Sequence, residues 1–207
     1  MKKTKINKKF IYLISPEKIE DNLFYKDLDK VLKTNKVSFF QLRLKKNEES
    51  EIILIGKKIQ KICKKYNVKF IINDSPIIAK KINADGCHLG QKDMNFMKAR
   101  KILKNKIIGI TCNNSKDLIK RAMKKKVDYI AIGAFFSSKT KKIKYRANLK
   151  ILKYSKFITN IPIVCIGGIK NTNYKKLLLH KANFLAISGY IWNNKKYKPV
   201  NAINKLV

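Results

Sequence analysis

Eight short apolar runs, separated by longer segments with helical spacing, constrain the fold of this chain more than any other feature. Each run has four to eight residues and is bounded by Gly, Asn, Asp or Ser, as buried parallel strands are. The runs are Phe10–Ile14, Val37–Leu44, Val68–Ile72, Gly86–Leu89, Ile107–Ile110, Tyr129–Ile132, Ile163–Ile166 and Phe184–Ile187. Strict alternation of strand and helix predicts an α/β protein with a single (β/α)8 TIM barrel, because eight strands close such a barrel. An open doubly wound sheet is the main alternative.

The length and the cysteines favour one cytoplasmic domain. A chain of 207 residues is too short for two ordinary domains, so we expect residues 1–207 to form one domain, with the barrel proper at about 10–192. The four cysteines form no CxxC pair, which argues against a zinc cluster and favours buried thiols in a reducing cytosol. The apolar stretch Ile11–Ile14 is too short for a signal peptide or a membrane span.

The charge is unusual, with 49 Lys and Arg against 13 Asp and Glu and a formal net of +36. Such a charge can indicate a nucleic acid or an anionic membrane surface as partner. The lysines are, however, scattered over most predicted helices, and no aromatic run accompanies them as a base-stacking platform requires. We therefore attribute the high positive charge to a drift in amino-acid composition rather than to a surface selected for binding polyanions. In either case the positive field would attract phosphorylated substrates.

Polar side chains follow the predicted strands at their carboxyl ends, where barrels of this kind carry their chemistry. On the second strand Gln41, Arg43 and Lys45 alternate, so that all three are expected to face the barrel interior. Three long polar side chains in that position require an anionic or polar ligand. A solvated edge strand is the alternative.

Two aspartates end neighbouring strands, Asp74 after the third and Asp93 after the fourth. Two carboxylates at close range repel each other, and a divalent cation is the usual way to reconcile them. The pair therefore predicts a Mg2+ site. The alternatives are a helix cap or turn for Asp74 and a turn for Asp93.

Three later strand ends carry groups suited to binding anions. Ser138, Thr140 and Lys141 lie in a basic, hydroxyl-rich loop after the sixth strand, which is either a phosphate or carboxylate site or a mobile surface loop. Gly167-Gly168 and Ser188-Gly189 follow the last two strands, where backbone N–H groups commonly bind a phosphate.

Other candidate side chains carry less weight. His88 lies in an apolar run and is expected to be a hydrogen-bonded core residue, and His180 lies near a helix end. Tyr190 and Trp192 are expected to close the barrel bottom or an interface.

Taken together, these segments resemble the thiamine-phosphate synthase family. The similar segments occur in family order over nearly the whole chain and are Gln41–Lys45, Asn73–Asp74, Ala84–Asp93, Ile108–Thr111, Gly133–Lys142, Ile166–Ile169 and Phe184–Ser188. The form of Gly133–Phe136 resembles the alphaproteobacterial branch.

The resemblance implies a transferase that joins 4-amino-5-hydroxymethyl-2-methylpyrimidine diphosphate to a thiazole phosphate, giving thiamine phosphate and diphosphate. It implies that Gln41, Arg43, Lys45 and Asn73 hold the pyrimidine diphosphate, that Thr111 lies near the pyrimidine, and that Asp74 and Asp93 bind Mg2+. It further implies that Ser138 and Thr140 contact the thiazole, that Lys141 contacts the diphosphate, and that Gly168, Ile187 and Ser188 hold the thiazole phosphate. Arg43, Lys45 and Lys141 are the expected catalytic residues.

The chain departs from the family pattern at two places. Ser137-Ser138 stands where members often have Pro-Thr, and Asn113 stands where a histidine is common. In the paralogous thiazole tautomerase that histidine is held to move protons, so Asn113 favours the synthase. A non-catalytic polyanion-binding barrel is the other rival. The expected partners are small-molecule substrates, with no specific nucleic acid and no membrane, and a homo-oligomer is compatible with the sequence.

Overall fold

The strands form a closed ring. A computed structural model describes residues 9–137 and 146–206. Within these residues eight parallel strands pair in chain order, and the ring closes where the first strand pairs with the last, with Ile11 opposite Leu185. The strands are β1 (Ile11–Ile14), β2 (Val37–Leu42), β3 (Lys69–Asn73), β4 (Gly86–Leu89), β5 (Ile107–Asn113), β6 (Tyr129–Gly133), β7 (Ile163–Ile166) and β8 (Phe184–Ile187). Closure confirms the predicted barrel and rules out the open sheet, because an open sheet would leave β1 and β8 apart.

Helices connect successive strands and surround the barrel. In the described part of the chain they are α1 (Asn22–Lys33), α2 (Glu49–Lys65), α3 (Pro76–Lys81), α4 (Phe96–Leu103), α5 (Lys116–Lys124), α6 (Leu149–Ile158), α7 (Tyr174–Leu179), α8 (Gly189–Trp192) and α9 (Pro199–Asn204). Several begin at a side chain that accepts a first-turn N–H, as Ser75 and Ser115 do, which satisfies an otherwise unpaired donor. The final helix, α9, packs against α1 and α8. None of these helices is long and apolar enough to cross a membrane.

The core has two layers because side chains alternate along each strand. One cluster fills the barrel interior and includes Tyr12, Tyr129 and Val164. The other lies between strands and helices and includes Leu13 and Phe40 from the strands. The four cysteines are buried and free, as the sequence predicts.

Gly109 is required for packing inside the barrel. A Cβ at this position would lie 1.9 Å from Cζ of Tyr129, and the Tyr129 hydroxyl is held by hydrogen bonds to Tyr12 and His88. The ring therefore has little freedom to move away. We expect Gly109→Ala to lower the free energy of unfolding by about 1–3 kcal/mol, the usual cost of overpacking, as measured by denaturant unfolding.

Gly56→Ala is the matched control, because Gly56 lies in α2 and its added Cβ would come close, at 3.0 Å, to the end of the Ile82 side chain, with Leu42 and Phe70 at ordinary contact distance. Alanine also favours the helix over glycine. We expect this variant to be nearly as stable as the parent. Equal stability of both variants would contradict the packing of Gly109 against Tyr129.

Candidate active site

The second strand is shorter than predicted. β2 ends at Leu42 rather than at Leu44, so Arg43 lies just beyond the strand. The Arg43 N–H donates to the side-chain oxygen of Ser15 at 2.9 Å. A side chain at the end of β1 thus replaces a strand partner, and the prediction of the strand to Leu44 is wrong for this reason.

Gln41, Arg43 and Lys45 nevertheless lie along one edge of the mouth, the rim at which the strands end. Gln41 is buried within β2, Arg43 is partly buried and Lys45 is exposed. The Lys45 ammonium lies 2.9 Å from Oδ2 of Asp74. Within the described residues no carboxylate forms an ion pair with Arg43. The segment therefore presents one paired cation and one guanidinium without an acidic partner in that part of the chain.

The two predicted metal ligands come together. Asp74 directly follows β3, and its N–H donates to the His88 carbonyl of β4 at 2.8 Å. Asp93 is anchored by the Gly90 N–H, which donates to Asp93 Oδ2 at 2.6 Å. The two carboxyl groups lie close enough for each to shift the pKa of the other. Neighbouring strands thus bring two acids to one point of the mouth.

The electrostatics of this pair are asymmetric. Burial disfavours the Asp74 carboxylate, but hydrogen bonds from the Asp93 carboxyl and from Lys45 outweigh burial and lower the pKa of Asp74. Burial, reinforced by the contact with Asp74, raises the pKa of Asp93. Asp74 is therefore the more readily ionised of the two acids, and Asp93 is the one that is protonated first as the pH falls.

This donor set fits Mg2+. Two carboxylates in direct contact are unfavourable unless a proton or a cation lies between them. Among residues 9–137 and 146–206 no group of three or more His, Cys, Asp or Glu side chains could hold a metal. A cation held by Asp74 and Asp93 would therefore need further oxygens from substrate or water, which is how Mg2+ usually binds. Lys45 already contacts Asp74 and would share that carboxylate with the cation.

Thr111 and Asn73 lie beside the pair. Thr111 belongs to β5, which continues three residues past its predicted end at Ile110 and contains an irregularity between Thr111 and Asn113. The Thr111 hydroxyl lies 2.8 Å from Nε2 of His88. Asn73 is the last residue of β3 and pairs with His88 in the strand register. Both predicted substrate contacts therefore adjoin the same β4 residue.

His88 is a hydrogen-bonded interior residue, as predicted. Its Nδ1 lies 2.9 Å from the Tyr129 hydroxyl, which in turn lies 2.8 Å from the Tyr12 hydroxyl. Burial lowers the pKa of His88 to about 4, so the imidazole is neutral at neutral pH. It orients Thr111 and adds no positive charge to the mouth.

The glycines after β7 pass close to the backbone after β6. Gly168 has a φ of +59°, and a Cβ there would lie 2.2 Å from the Ser137 carbonyl oxygen. The Asn173 side chain donates to the Gly168 carbonyl at 3.0 Å. Left-handed backbone and close approach together require glycine at this position.

The two predicted site residues at the end of β8, Ile187 and Ser188, differ in the direction of their side chains. The Ile187 side chain is buried in the layer between strands and helices, so only its backbone can face the mouth. Ser188 precedes α8, and its hydroxyl donates to the Ser15 carbonyl at 2.9 Å. Because β7 and β8 pair as neighbours, Gly168 and Ser188 follow adjacent strand ends.

Three predicted residues, Ser138, Thr140 and Lys141, lie outside the described residues. The segment before them is anchored beside the glycines, since the Phe136 N–H donates to the Gly167 carbonyl at 3.0 Å.

The sequence pattern misses two residues at the mouth. Ser15 was not predicted to take part, because a serine before proline at a strand end resembles an ordinary turn. Trp192 was expected at the barrel bottom or an interface, but its indole N–H donates to the Ile14 carbonyl at 2.7 Å. Ile14 ends β1, so Trp192 lies at the mouth, and the expectation of a bottom position is wrong because α8 turns back over β1 directly after β8.

Comparisons with known proteins agree with this geometry. A family model described as thiamine monophosphate synthase matches residues 11–191. The chain is 68% identical over 206 residues, covering 100% of both chains, to a thiamine-phosphate synthase of Pelagibacter ubique. It is 36% identical over 197 residues to one of Erythrobacter litoralis, covering 93% of this chain and 92% of the relative.

Solved structures give the same result. A thiamine phosphate pyrophosphorylase from Pyrococcus furiosus superposes with a TM-score of 0.85 at 26% identity, covering 97% of this chain and 94% of that one. A 3-hexulose-6-phosphate synthase from Salmonella typhimurium, at a TM-score of 0.68 and 12% identity over 95% of this chain and 96% of that one, shares the fold alone. The alphaproteobacterial-like branch expected from Gly133–Phe136 fits the Pelagibacter relative.

Proposed function

The chain belongs to the thiamine monophosphate synthase family, and we propose on that premise that it is a Mg2+-dependent thiamine-phosphate synthase. It joins 4-amino-5-hydroxymethyl-2-methylpyrimidine diphosphate to a thiazole phosphate and releases diphosphate. The observation that carries the proposal is the convergence of Asp74, Asp93 and Lys45 at the ends of the neighbouring strands β2, β3 and β4, with the Lys45 ammonium 2.9 Å from Asp74. Two carboxyl groups can hold a metal ion, and the neighbouring Lys45 ammonium can bind the diphosphate that the metal ion also contacts.

The pyrimidine diphosphate is bound along the ends of β2, β3 and β5. Gln41 and Asn73 supply amide groups and Thr111 a hydroxyl for the polar atoms of the pyrimidine. Arg43 and Lys45 bind the diphosphate oxygens. The absence of an acidic partner for Arg43 among the described residues supports this role, because its guanidinium can then form a bidentate contact with the diphosphate.

Asp74 and Asp93 hold Mg2+ in this proposal. When bound, Mg2+ neutralises negative charge on the diphosphate and on its leaving oxygen. The closeness of two carboxyl groups at neighbouring strand ends supports this role, since a divalent cation would relieve the repulsion between them.

The thiazole phosphate lies on the opposite side of the mouth, at the ends of β7 and β8. Gly168 and Ser188 contribute backbone N–H groups, and Ile187 contributes through its backbone. Ser138 and Thr140 contact the thiazole ring and Lys141 the diphosphate. The positions of Gly168 and Ser188 after the adjacent strands β7 and β8 support this assignment, since the loops after the last two strands of such barrels frequently bind a phosphate.

In the reaction, the bond between the pyrimidine methylene carbon and the diphosphate oxygen breaks, and its electrons leave with diphosphate. The thiazole nitrogen lone pair forms the new carbon–nitrogen bond. Arg43, Lys45 and Lys141 stabilise the charge that develops on the leaving group. The thiazole nitrogen carries no proton, so no general base is needed. A neutral His88, with a pKa of about 4, agrees with this scheme.

The test is turnover by the purified chain with both substrates and Mg2+. We expect thiamine phosphate and diphosphate to form in equal amounts, the activity to disappear with a chelator, and added Mg2+ to restore it. A change in the thiazole without diphosphate release would identify a tautomerase. No turnover, together with nucleic-acid binding that persists at physiological salt, would favour the polyanion-binding barrel instead.

We further propose that the whole chain forms one cytoplasmic domain that acts on small molecules, without a membrane or a specific nucleic acid as partner. The packing of α9 against α1 and α8 supports one domain. A homo-oligomer is compatible with the proposal, and sedimentation of the purified chain would determine it.

A further inference from the structure

Ser15 lies at the end of β1 and bonds to both neighbouring strand ends. It is 3% exposed, and its N–H donates to the Gln41 carbonyl at 2.9 Å, which continues the pairing of β1 with β2. Its hydroxyl oxygen accepts the Arg43 N–H at 2.9 Å. Its carbonyl accepts the Ser188 hydroxyl at 2.9 Å on the β8 side.

The hydroxyl has a complete set of partners. Besides accepting from Arg43, it can donate to the Pro16 carbonyl at 2.9 Å, and the Arg43 carbonyl lies 3.4 Å away. Because β2 ends at Leu42, the Arg43 N–H has no strand partner, and the Ser15 side chain takes that place. A partly buried backbone N–H without a partner would be costly.

We propose that Ser15 is a positioning residue, whose hydroxyl fixes the backbone of Arg43 so that the guanidinium is aligned with the diphosphate of the first substrate. This inference rests on the proposed function for its choice of ligand. Arg43 is the first residue after β2, where the backbone is no longer held by strand pairing. A hydrogen bond to its N–H therefore fixes the orientation of its Cα–Cβ bond. A long side chain amplifies a small change at its Cα.

The Ser15 hydroxyl contacts the side of the site proposed for the pyrimidine diphosphate, and the Ser15 carbonyl contacts the side proposed for the thiazole phosphate. Removing the hydroxyl alone should therefore affect only the first substrate. Ser15→Ala removes the contact to Arg43 but keeps the carbonyl that Ser188 contacts. We therefore expect the KM for the pyrimidine diphosphate to rise about three- to ten-fold, the range of one neutral hydrogen bond. The KM for the thiazole phosphate should stay within about two-fold of the parent, since no contact on that side is lost.

The matched control is Ser155→Ala. Ser155 is also buried, and its hydroxyl donates to the Ile151 carbonyl within α6 at 2.6 Å, away from the predicted site residues. Both variants lose one buried serine hydroxyl, but Ser15→Ala should lose more stability, because it also leaves the Arg43 N–H without its partner. Only Ser15→Ala should change the KM for the pyrimidine diphosphate.

The double variant separates positioning from general loosening. If Ser15 acts through Arg43, then Ser15→Ala should have almost no further effect in an Arg43→Ala background, because the group it aligns is gone. Full multiplication of the two losses would overturn the inference. So would an equal rise in the KM of both substrates.

Calorimetric binding of inorganic diphosphate in the presence of Mg2+ makes the test independent of turnover. We expect Ser15→Ala to weaken this binding about three- to ten-fold and Ser155→Ala to leave it unchanged. If the parent makes no thiamine phosphate but shows this difference, the proposed function fails and the role of Ser15 stands. If the parent turns over and the two serine variants bind diphosphate alike, the role of Ser15 fails. Absence of diphosphate binding by the parent would overturn both.

Discussion

Asp74→Asn is expected to lower kcat/KM by about 10²–10³-fold, the usual loss when one preorganised charge-stabilising group is removed. The variant keeps the size of the side chain but removes the charge, so that Asp93 would be the only carboxylate left at this point of the site. Asparagine is preferable to alanine here because Asp74 has a φ of +65°. Asparagine tolerates left-handed backbone, whereas alanine would add strain of about 1 kcal/mol. The loss in Asp74→Asn can then be assigned to the charge.

Asp29→Asn is the matched control for this prediction. Asp29 forms a comparable ion pair, with Lys65 at 2.8 Å, on the outer surface, and such pairs contribute little to stability. Its activity should equal that of the parent. Mg2+-dependent diphosphate binding, measured by calorimetry, should weaken only in Asp74→Asn. Unchanged binding and turnover in that variant would remove Asp74 from the metal site.

The strands were predictable because each is an apolar run with turn residues at its ends. A run such as Ile163–Ile166 is buried on both faces, and no helical period competes with it. The strand ends were less predictable. β2 stops at Leu42, where the Arg43 N–H donates to the side chain of Ser15 instead of to a strand partner. Ser15 lies more than twenty residues earlier in the chain, and local patterns carry no information on such a contact.

The meeting of Asp74 and Asp93 was predictable from topology alone. Consecutive strands are neighbours in a barrel, and their carboxyl ends share one rim. The different pKa shifts of the two acids were not predictable, because they depend on how deeply each carboxyl group is buried, on the distance between the two groups and on the position of Lys45. The sequence specifies which charged groups are present, but the distances between them come only from the structure.

The orientation of two side chains was also not predictable from the sequence. Alternation along β8 turns the Ile187 side chain toward the helices, which a family resemblance does not reveal because it assigns a position and not an atom. Trp192 lies at the mouth through the turn of α8, and nothing in the residue type indicates the path of a short helix. In both cases the residue was visible in the sequence, but its orientation was not.

Arg43→Ala is expected to lower kcat/KM by about 10²–10³-fold, since it removes a charged donor aimed at the leaving diphosphate. The Arg43 N–H, which holds the segment to Ser15, remains in any substitution other than proline. The local backbone should therefore persist, and the loss should reflect the guanidinium itself. Steady-state kinetics with the pyrimidine diphosphate varied would measure it, with thermal unfolding as a check on the fold.

Arg43→Lys separates charge from geometry. If charge alone mattered, lysine would restore most of the activity. A guanidinium that grips two oxygens at once is replaced poorly by an ammonium, so we expect Arg43→Lys to remain at least about ten-fold below the parent. The matched control is Arg121→Ala, an exposed arginine of α5 whose loss changes the net charge of +36 by the same amount. If Arg121→Ala slowed turnover as much as Arg43→Ala, the general positive field of the chain would account for diphosphate recognition, and Arg43 would have no specific role.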